Sequence, residues 1–472
     1  MTAAGTAPTE LGTYKISRLL KMYAVPGIIA QTAASLYNIV DSIYIGHIPG
    51  VGAAAISGLA VTFPLMNLSI ALGTLVGVGA MTLISILLGR RDYGTARQVL
   101  ANTLTLNILI GILFAVLALA FLDPVLVFFG ASPATLPYAR DYMRIILVGN
   151  AFTHLYHGFN GIIRASGHPK TAMYLTLFTV LFNAILDPVL IYGLGMGIRG
   201  AAIATVCCQA LALVYTLHFL SDSRRCLHFP KPLLQLDVRI AGKSLAIGIA
   251  PFLMNCAASL VALFINQQLR RHGGDLAIGA YGILNRFTLL FVMICMGFNQ
   301  GLQPIAGYNY GARQYRRVKE VFILTAKWEV LVTTCCFLIS ELVPEYAARL
   351  FTSDTAMIRL AAEGLRMGNA GFALVGFGIV SANFFQCLGM VGRSIFLSLS
   401  RQLLFLLPLL YGLPLVFRER GVWFSLTVSD LLSIVTSAIF IIAIFRKLDQ
   451  LQDGEDATLL GGASSTHFHS QE

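Results

Sequence analysis

Long uninterrupted apolar runs recur along the whole chain, and they restrict the folds it can adopt more than any other feature. Residues 104–122, 172–194 and 201–220 are examples. A continuous apolar helix of about 20 residues crosses the hydrocarbon core of a bilayer. A transmembrane β-barrel would instead show short segments of alternating polarity. The sequence therefore predicts an all-α membrane protein embedded in a lipid bilayer.

Composition agrees with this class, because 57% of the residues are hydrophobic and only 12% are charged. A soluble domain is nearer to about 25% charged. We place twelve spans, and the linkers between them are short apart from 221–239. Spans 1–12 are expected at 17–45, 53–88, 101–122, 137–163, 171–194, 200–220, 241–268, 278–305, 318–339, 360–387, 394–417 and 421–445.

The chain is a duplication, since its two halves align at a shift of about 222 residues. Gly79 then meets Gly301, and Gly167 meets Gly389. Each copy holds six spans, and because six is even, both copies enter the membrane from the same side. They are parallel repeats, and the expected architecture is two six-helix lobes around a central cleft, as in many transporters.

The repeat gives four expected regions. The N-lobe, with spans 1–6, is 14–220, and the C-lobe, with spans 7–12, is 240–447. A cytoplasmic linker at 221–239 joins them, and its two prolines oppose helix formation. Residues 448–472 form a polar tail that we expect to be disordered and cytoplasmic. Because the duplicated chain can form a cleft alone, we expect a monomer.

The net charge of +11 does not indicate nucleic-acid binding, because the basic residues lie in alternate loops. Segments 90–97 and 313–319 carry three and four Lys or Arg residues, whereas the loops around 199 and 349 carry one each. Basic loops face the cytoplasm in membrane proteins. We therefore expect a multi-pass protein of the cell membrane with both termini cytoplasmic.

Two carboxylates, Asp41 and Asp187, stand inside apolar spans. A charged side chain in hydrocarbon is costly, so such residues usually face a cavity and serve a function. Asp41 ends a polar stripe in span 1 that also contains Gln31, Ser35 and Asn38. Steps of three and four residues place this stripe on one helical face.

Asp187 belongs to a polar cluster in span 5. Asn183 lies one turn before it on the same face, and Pro188 follows it directly. Proline has no N–H to donate, which weakens the helix at that point. An acid, an amide and loosened backbone together indicate a proton or cation site.

A set of ordered motifs resembles the MATE family of multidrug and toxic compound extrusion transporters. It consists of Pro26 and Asp41 in span 1, Leu-Gly-Arg-Arg-Asp-Tyr at 88–93, Arg-Ala-Ser-Gly-His-Pro at 164–169, and Asn183 with Asp187 and Pro188 in span 5. The resemblance covers about 14–447 in order. Each motif alone is weak, but their order and spacing are specific.

The resemblance implies alternating-access export of amphipathic, often cationic small molecules, driven by inward H⁺ or Na⁺. It implies no resident cofactor or metal other than a coupling Na⁺. The family's cation site falls on Asp41, Asn183, Asp187 and Thr205 of this chain, and Pro26 matches the position where span 1 bends. This pattern fits the prokaryotic branch whose ion site lies in the N-lobe.

The C-lobe departs from another branch of the family, which carries acidic residues in spans 7 and 10. Span 7 here offers Asn255, Ser259 and Asn266, and the interior of span 10 has amides but no carboxylate. Ion coupling is therefore expected in the N-lobe. We expect the substrate cleft to be lined by polar residues of both lobes, namely Gln31, Ser35, Asn38, Asn255, Ser259, Asn266 and Arg286.

Other charges within the apolar runs are not expected to form the ion-coupling site. Arg286 either faces the cleft, snorkels or joins an ion pair, and Arg401 and Asp430 are not expected to be site residues. Glu329 and Lys327 lie near one end of span 9, where we expect them at the membrane interface.

Two other functions are compatible with parts of the sequence. The first is a flippase or exporter of a lipid-linked or other amphipathic metabolite, which tends to need a cationic cleft. The second is an intramembrane enzyme, for which His154 and His157 in span 4 could share a metal. No HExxH or Gly-x-Ser-x-Gly motif accompanies these histidines, so we expect no enzymatic activity.

Overall fold

The computed structural model describes residues 8–451 and 453–455. This part of the chain is nearly all helical and contains no β-strand. Each predicted span coincides with one helix or with two consecutive helices. The continuous apolar runs explain this, because a backbone in hydrocarbon must satisfy its hydrogen bonds within the segment.

The first six spans begin and end close to the predicted residues, except that span 3 begins at Tyr93 and extends to Phe128, beyond the predicted 101–122. Their bounds are Ile16–Gly46; Gly52–Gly89; Tyr93–Ala120 with Leu122–Phe128; Leu136–Val148 with Asn150–Ala165; Pro169–Pro188 with the π-helix Val189–Gly193; and Ile198–Ser221.

The last six spans repeat this order. Their bounds are Val238–Gly274; Leu276–Gly311; Tyr315–Leu342; Thr355–Gly368 with Phe372–Cys387; Val391–Phe417, which includes the π-helix Ser400–Leu406; and Glu419–Asp449. Two short helices, Glu10–Thr13 and Pro344–Arg349, lie outside the spans.

Within the described residues, nine helices are long and apolar enough to cross a bilayer. The pair Thr355–Gly368 and Phe372–Cys387, bent by 56°, makes ten. The remaining two are span 1, which carries the polar stripe, and span 4, which is interrupted at Gly149. The predicted fold class, a twelve-helix membrane protein in two repeats, is confirmed.

The chain divides into two compact units whose limits fall inside spans 1 and 7. The first unit contains Ile29–Phe252, and the second contains Tyr14–Ile28 and the chain from Leu253 onward. These units follow the predicted lobes except that each includes half of a helix from the other repeat. The changes of unit follow Ile28 and Phe252, within two residues of Pro26 and Pro251, which are equivalent in the duplication.

Glycine lets these exchanged half-helices pack closely. In the first unit, the start of span 7 crosses span 2 so tightly that a Cβ on Gly79 would clash with the carbonyl of Ser244. In the second unit, span 1 crosses span 8 in the same way, and a Cβ on Gly301 would lie 2.8 Å from the nitrogen of Ala24. Small residues allow such close approach of membrane helices. Gly79 and Gly301 are the equivalent glycines of the repeat.

The linker between the repeats packs on the first unit. Arg97 donates from Nε to the carbonyl of Cys226 at 3.0 Å, and Thr105 donates to that of Gln235 at 2.9 Å. Burial raises the pKa of the Cys226 thiol. Side chains of span 3 therefore satisfy two backbone carbonyls of the linker, which is not helical.

The tail predicted at 448–472 is described only in its first residues. The last helix continues to Asp449, and Gly454 donates its N–H to the carbonyl of Arg313 at 3.0 Å. Residues 452 and 456–472 lie outside the described part of the chain, and the prediction of disorder for them stays a prediction.

Two of the intramembrane charges form an ion pair, and a third differs from its expected position. Arg401 Nε in span 11 contacts Asp430 Oδ1 in span 12 at 2.7 Å, and the Asp430 side chain is only 4% exposed. Glu329, expected at the interface, is instead fully buried within the second unit. The interfacial prediction for Glu329 is therefore wrong, because a single sequence does not reveal which face of span 9 packs inward.

Candidate functional site

Span 1 contributes two polar residues to a cluster inside the first unit. Tyr37 and Asp41 lie one helical turn apart on the continuous helix Ile16–Gly46 and therefore project from the same face. Asp41 is buried, with 6% of its surface exposed. The polar stripe predicted from the sequence thus ends at a packed interface between helices.

Span 5 contributes Asn183 and Asp187 at its weakened end. Both are buried, and Asp187 is fully inaccessible. The α-helix stops at Pro188, and the chain continues as the π-helix Val189–Gly193. Single π-helical turns are rare and occur frequently at functional sites. The loosened backbone predicted from the proline lies next to the acid.

Span 6 closes the cluster with Thr205. Its hydroxyl lies 2.8 Å from the hydroxyl of Tyr37. The Asn183 amide, with its nitrogen facing the acid, donates to Asp187 Oδ2 at 2.7 Å and accepts from the Thr205 backbone N–H at 3.1 Å. The structure therefore brings together all four residues predicted to form the cation site.

The central feature is the contact between the two acids. The carboxyl groups of Asp41 and Asp187 lie within hydrogen-bonding range of each other. A carboxylate can only accept, so a hydrogen bond between them requires a proton on one of the two. Asp41 Oδ1 is buried and has no hydrogen-bond partner among the described side chains. None of the ion pairs found in the described chain includes either acid.

The cluster offers chiefly oxygen atoms to a bound ion, although the Asn183 amide turns its nitrogen toward Asp187. It contains two carboxyls, the Asn183 amide and the Thr205 hydroxyl, which are the ligand types that hard cations prefer. Two buried acids without a basic partner need a compensating positive charge. A proton or a Na⁺ ion meets that need, and the unpartnered oxygen of Asp41 is available to it.

Two tyrosines beside the acids were missed by sequence reasoning. Tyr37 lies four residues before Asp41, so its helical spacing was an available signal. Tyr142 of span 4 is 2% exposed and is in electrostatic contact with both acids. No local pattern links Tyr142 to residues 41 or 187, because that proximity depends on tertiary packing.

The remaining predicted residues of span 1 precede the carboxyl cluster along the helix. Ser35 is half-buried and donates to the carbonyl of Gln31 at 3.0 Å. The side chain of Asn38 lies outside the described part of the chain. Pro26 lies inside the continuous helix, near the point where span 1 passes from one unit to the other.

The four predicted residues of the second unit are spread along two helices. Ser259 donates to the carbonyl of Asn255 at 3.2 Å, one turn away in span 7. Asn266 and Arg286 are exposed, in spans 7 and 8. Their assignment to a substrate cleft stays a prediction.

The two histidines of span 4 do not form a metal site. His154 is buried, and its Nε2 lies 3.1 Å from the Ser69 hydroxyl, which donates to Asn150 Oδ1 at 2.5 Å. His157 is exposed. A search of the described residues finds no group of three His, Cys, Asp or Glu side chains able to hold a metal ion. His154 is part of a buried polar network between spans 2 and 4.

Twelve membrane helices in two parallel repeats, with a buried pair of acids in one unit, are typical of the class of membrane transporters. The chain belongs to the MatE family, whose model matches it twice, over residues 26–189 and 250–411. The two matches correspond to the two repeats, and the family resemblance seen in the motifs is confirmed.

Named relatives and solved structures agree with this assignment. The chain is 28% identical over 416 residues to "Multidrug export protein MepA" of Staphylococcus haemolyticus, covering 88% of this chain and 91% of the relative. It is 28% identical over 434 residues to the MepA protein of Staphylococcus aureus strain N315, covering 90% and 93%. A multidrug resistance MATE transporter of the MOP superfamily, solved in an outward-facing conformation, shares the fold with a TM-score of 0.88. It is 22% identical, with coverage of 95% of this chain and 100% of that one.

Proposed function

We propose that this protein is a secondary active multidrug efflux transporter. It exports amphipathic, often cationic compounds in exchange for H⁺ or Na⁺ by alternating access. Membership of the MatE family and the similarity to MepA multidrug export proteins support this proposal. We further propose that it acts as a monomer in the cell membrane with both termini cytoplasmic, as the distribution of basic loops suggests.

The observation that carries the proposal is the close approach of the buried Asp41 and Asp187 carboxyl groups. A structural acid in a membrane helix is normally paired with a basic group or with backbone donors. In this proposal the two acids share a proton in place of a basic partner, and one oxygen of Asp41 has no hydrogen-bond partner among the described side chains. Such a pair can bind and release a cation, with Asn183 and Thr205 as further oxygen ligands.

Ion binding acts on transport through span 1 in this proposal. Asp41 lies on the same helix as Pro26, where one backbone hydrogen bond is missing and bending is easy. A proton or Na⁺ bound at the acids stabilises one arrangement of the helix over the other. A ligand shifts such an equilibrium only by its differential affinity for the two states.

The flippase alternative is less well supported. A cationic cleft for a phosphorylated lipid would require free basic side chains in the spans. Arg401 is engaged by Asp430 at 2.7 Å, which leaves Arg286 as the other predicted candidate. The buried acids of the first unit have the opposite charge from such a cleft.

The test is transport of a fluorescent lipophilic cation in proteoliposomes under separately imposed H⁺ and Na⁺ gradients. We expect accumulation on the side from which the ion flows, with one of the two gradients sufficient. Protein-free liposomes with the same gradients provide the control for passive movement. Lack of flux under both gradients, with protein inserted and folded, would contradict ion-coupled efflux.

A further inference from the structure

Glu329 is a buried acid that the proposed coupling site does not use. It lies in the middle of span 9 (Tyr315–Leu342) in the second unit and has no exposed surface. Neither of its carboxyl oxygens has a hydrogen-bond partner that meets ordinary geometry. The side chain is therefore a second acid in the membrane interior without an evident compensating group.

Asn299 of span 8 is the side chain within hydrogen-bonding range of this carboxyl. Its nitrogen donates to the backbone carbonyl of Cys295 at 3.2 Å, which fixes the amide orientation. Its oxygen is buried and has no donor. The two carboxyl oxygens of Glu329 and the amide oxygen of Asn299 are therefore all buried without a hydrogen-bond donor among the described residues.

Among the described residues, no ion pair contains Glu329. The Cys295 thiol is in electrostatic contact with its carboxyl, and that group carries no positive charge. Lys327 lies on the exposed face of the same helix. Four basic side chains of span 9 and the neighbouring helices are engaged by other acids. These pairs are Lys319 with Asp449, Arg349 with Glu345, Arg420 with Glu363 and Arg401 with Asp430.

Close helix packing keeps water away from the acid. Span 10 approaches span 9 at Gly376, where a Cβ would lie 2.6 Å from the backbone carbonyl of Glu329. Thr333 bridges the same two helices by donating to the carbonyl of Ala373 at 2.9 Å. A bare carboxylate in these surroundings would be uncompensated, and such a charge is costly in a low-dielectric interior.

We propose that Glu329 and Asn299 form a proton-binding site in the second unit, separate from Asp41 and Asp187. The carboxyl is held there as the neutral acid. A single proton converts one of the two unpartnered carboxyl oxygens into a hydroxyl donor, and it removes the buried charge. The ligand of this site is a proton, because no further oxygen ligand for a metal ion is in contact with the carboxyl.

The site has a consequence for the working of the second unit. Glu329 can release its proton only when water or another donor reaches span 9. The bound proton therefore opposes opening of the packing between spans 8, 9 and 10. Release of the proton accompanies such an opening. This inference does not depend on where transport is coupled to ions.

The test is infrared difference spectroscopy of the full-length protein in lipid at pH 7. The spectrum of wild type minus Glu329→Gln should contain the C=O stretch of a protonated carboxyl, and this band should shift when glutamate is labelled with ¹³C. The label separates Glu329 from Asp41 and Asp187. The matched control is Glu345→Gln, since Glu345 is 64% exposed, and its difference spectrum should contain only carboxylate bands.

A second variant protects the test against misfolding of Glu329→Gln. Asn299→Ala keeps the acid but removes its neighbour, so the protonated-carboxyl band should move to higher wavenumber. Carboxylate bands in the Glu329→Gln difference spectrum would overturn the proposal. If that variant does not fold, the Asn299→Ala spectrum decides alone, and an unshifted band would then overturn the pairing with Asn299.

Discussion

The hydroxyl groups of Tyr37 and Thr205 lie 2.8 Å apart and join span 1 to span 6 beside the carboxyl cluster. Tyr37 is one turn from Asp41, and Thr205 donates its backbone N–H to Asn183. A movement of span 1 that carries Asp41 away from Asp187 must therefore also break or re-form this bond. The tyrosine couples the position of the helix to the state of the ion site.

Tyr37→Phe removes this bond without changing the shape of the ring. A neutral hydrogen bond contributes about 1 kcal/mol, so we expect roughly a fivefold change in the balance between arrangements of span 1. Gradient-driven dye transport in proteoliposomes should slow by a similar factor. Tyr174→Phe, at a position that is 61% exposed, is the control. Equal rates for Tyr37→Phe and wild type would show that the bond has no role in coupling.

Much of this site follows from local sequence. Asn183 and Asp187 are one turn apart, and any α-helix brings them onto the same face. The contact between Asp41 and Asp187 joins residues 146 positions apart, and only the family resemblance placed them together. Tyr37 was passed over because an aromatic residue in an apolar span is typical of packing or lipid contact.

The division of the helices between the two units was not predictable in the same way. Hydropathy gives the position of span 1, but it does not indicate that Tyr14–Ile28 packs with the second unit. The prolines at 26 and 251 and the glycines at 79 and 301 are visible in the sequence. The sequence does not show that these prolines lie near the changes of unit and that these glycines lie at helix crossings, because both depend on which helices pack together.

Asp41→Asn and Asp187→Asn should each abolish gradient-driven export, because an amide cannot take up or release a proton and lowers the negative charge available to Na⁺. The protein should still insert and fold, since asparagine keeps the shape of the side chain. Transport under H⁺ and Na⁺ gradients and the detergent-extracted folded yield are the two measurements. Asp141→Asn, which removes a partner of Arg199, is the matched control. Full activity of either variant would exclude that acid from coupling.

Gly79→Val and Gly301→Val should destabilise the protein, because each side chain would enter a helix crossing. Overpacking of this kind typically costs about 1–3 kcal/mol. Gly242→Val is the control, since a Cβ at Gly242 has no neighbour within 4 Å. Thermal unfolding in detergent should show lower midpoints for the first two variants. If the unfolding midpoint of Gly242→Val were equally low, the loss of stability would come from the β-branched side chain and not from the helix crossings.

The Arg401–Asp430 pair should behave as an ion pair with one buried and one partly exposed member. Asp430→Asn leaves Arg401 without its partner and should destabilise the second unit, but by less than the cost of breaking a fully buried pair, about 3–5 kcal/mol, because 38% of the Arg401 side chain is exposed. The double variant Arg401→Met with Asp430→Leu should recover most of that loss, because an apolar pair of similar volume needs no compensation. Unfolding measurements on both variants separate the two effects. A double variant as unstable as Asp430→Asn would contradict the ion-pair account.

Pro26→Ala tests whether span 1 bends during transport. Alanine restores an N–H that can reach the carbonyl of Met22, so the helix should stiffen. Spin labels on spans 1 and 3 should report a distance that changes with pH or Na⁺ in wild type and changes less in the variant, and transport should slow. Pro64→Ala, at the proline inside span 2, is the matched control. A wild-type distance that stays constant across both titrations while transport continues would exclude bending of span 1 as a step of transport. The two units would then have to move as wholes, and the acids would have to act on that movement without a change in the shape of their own helix.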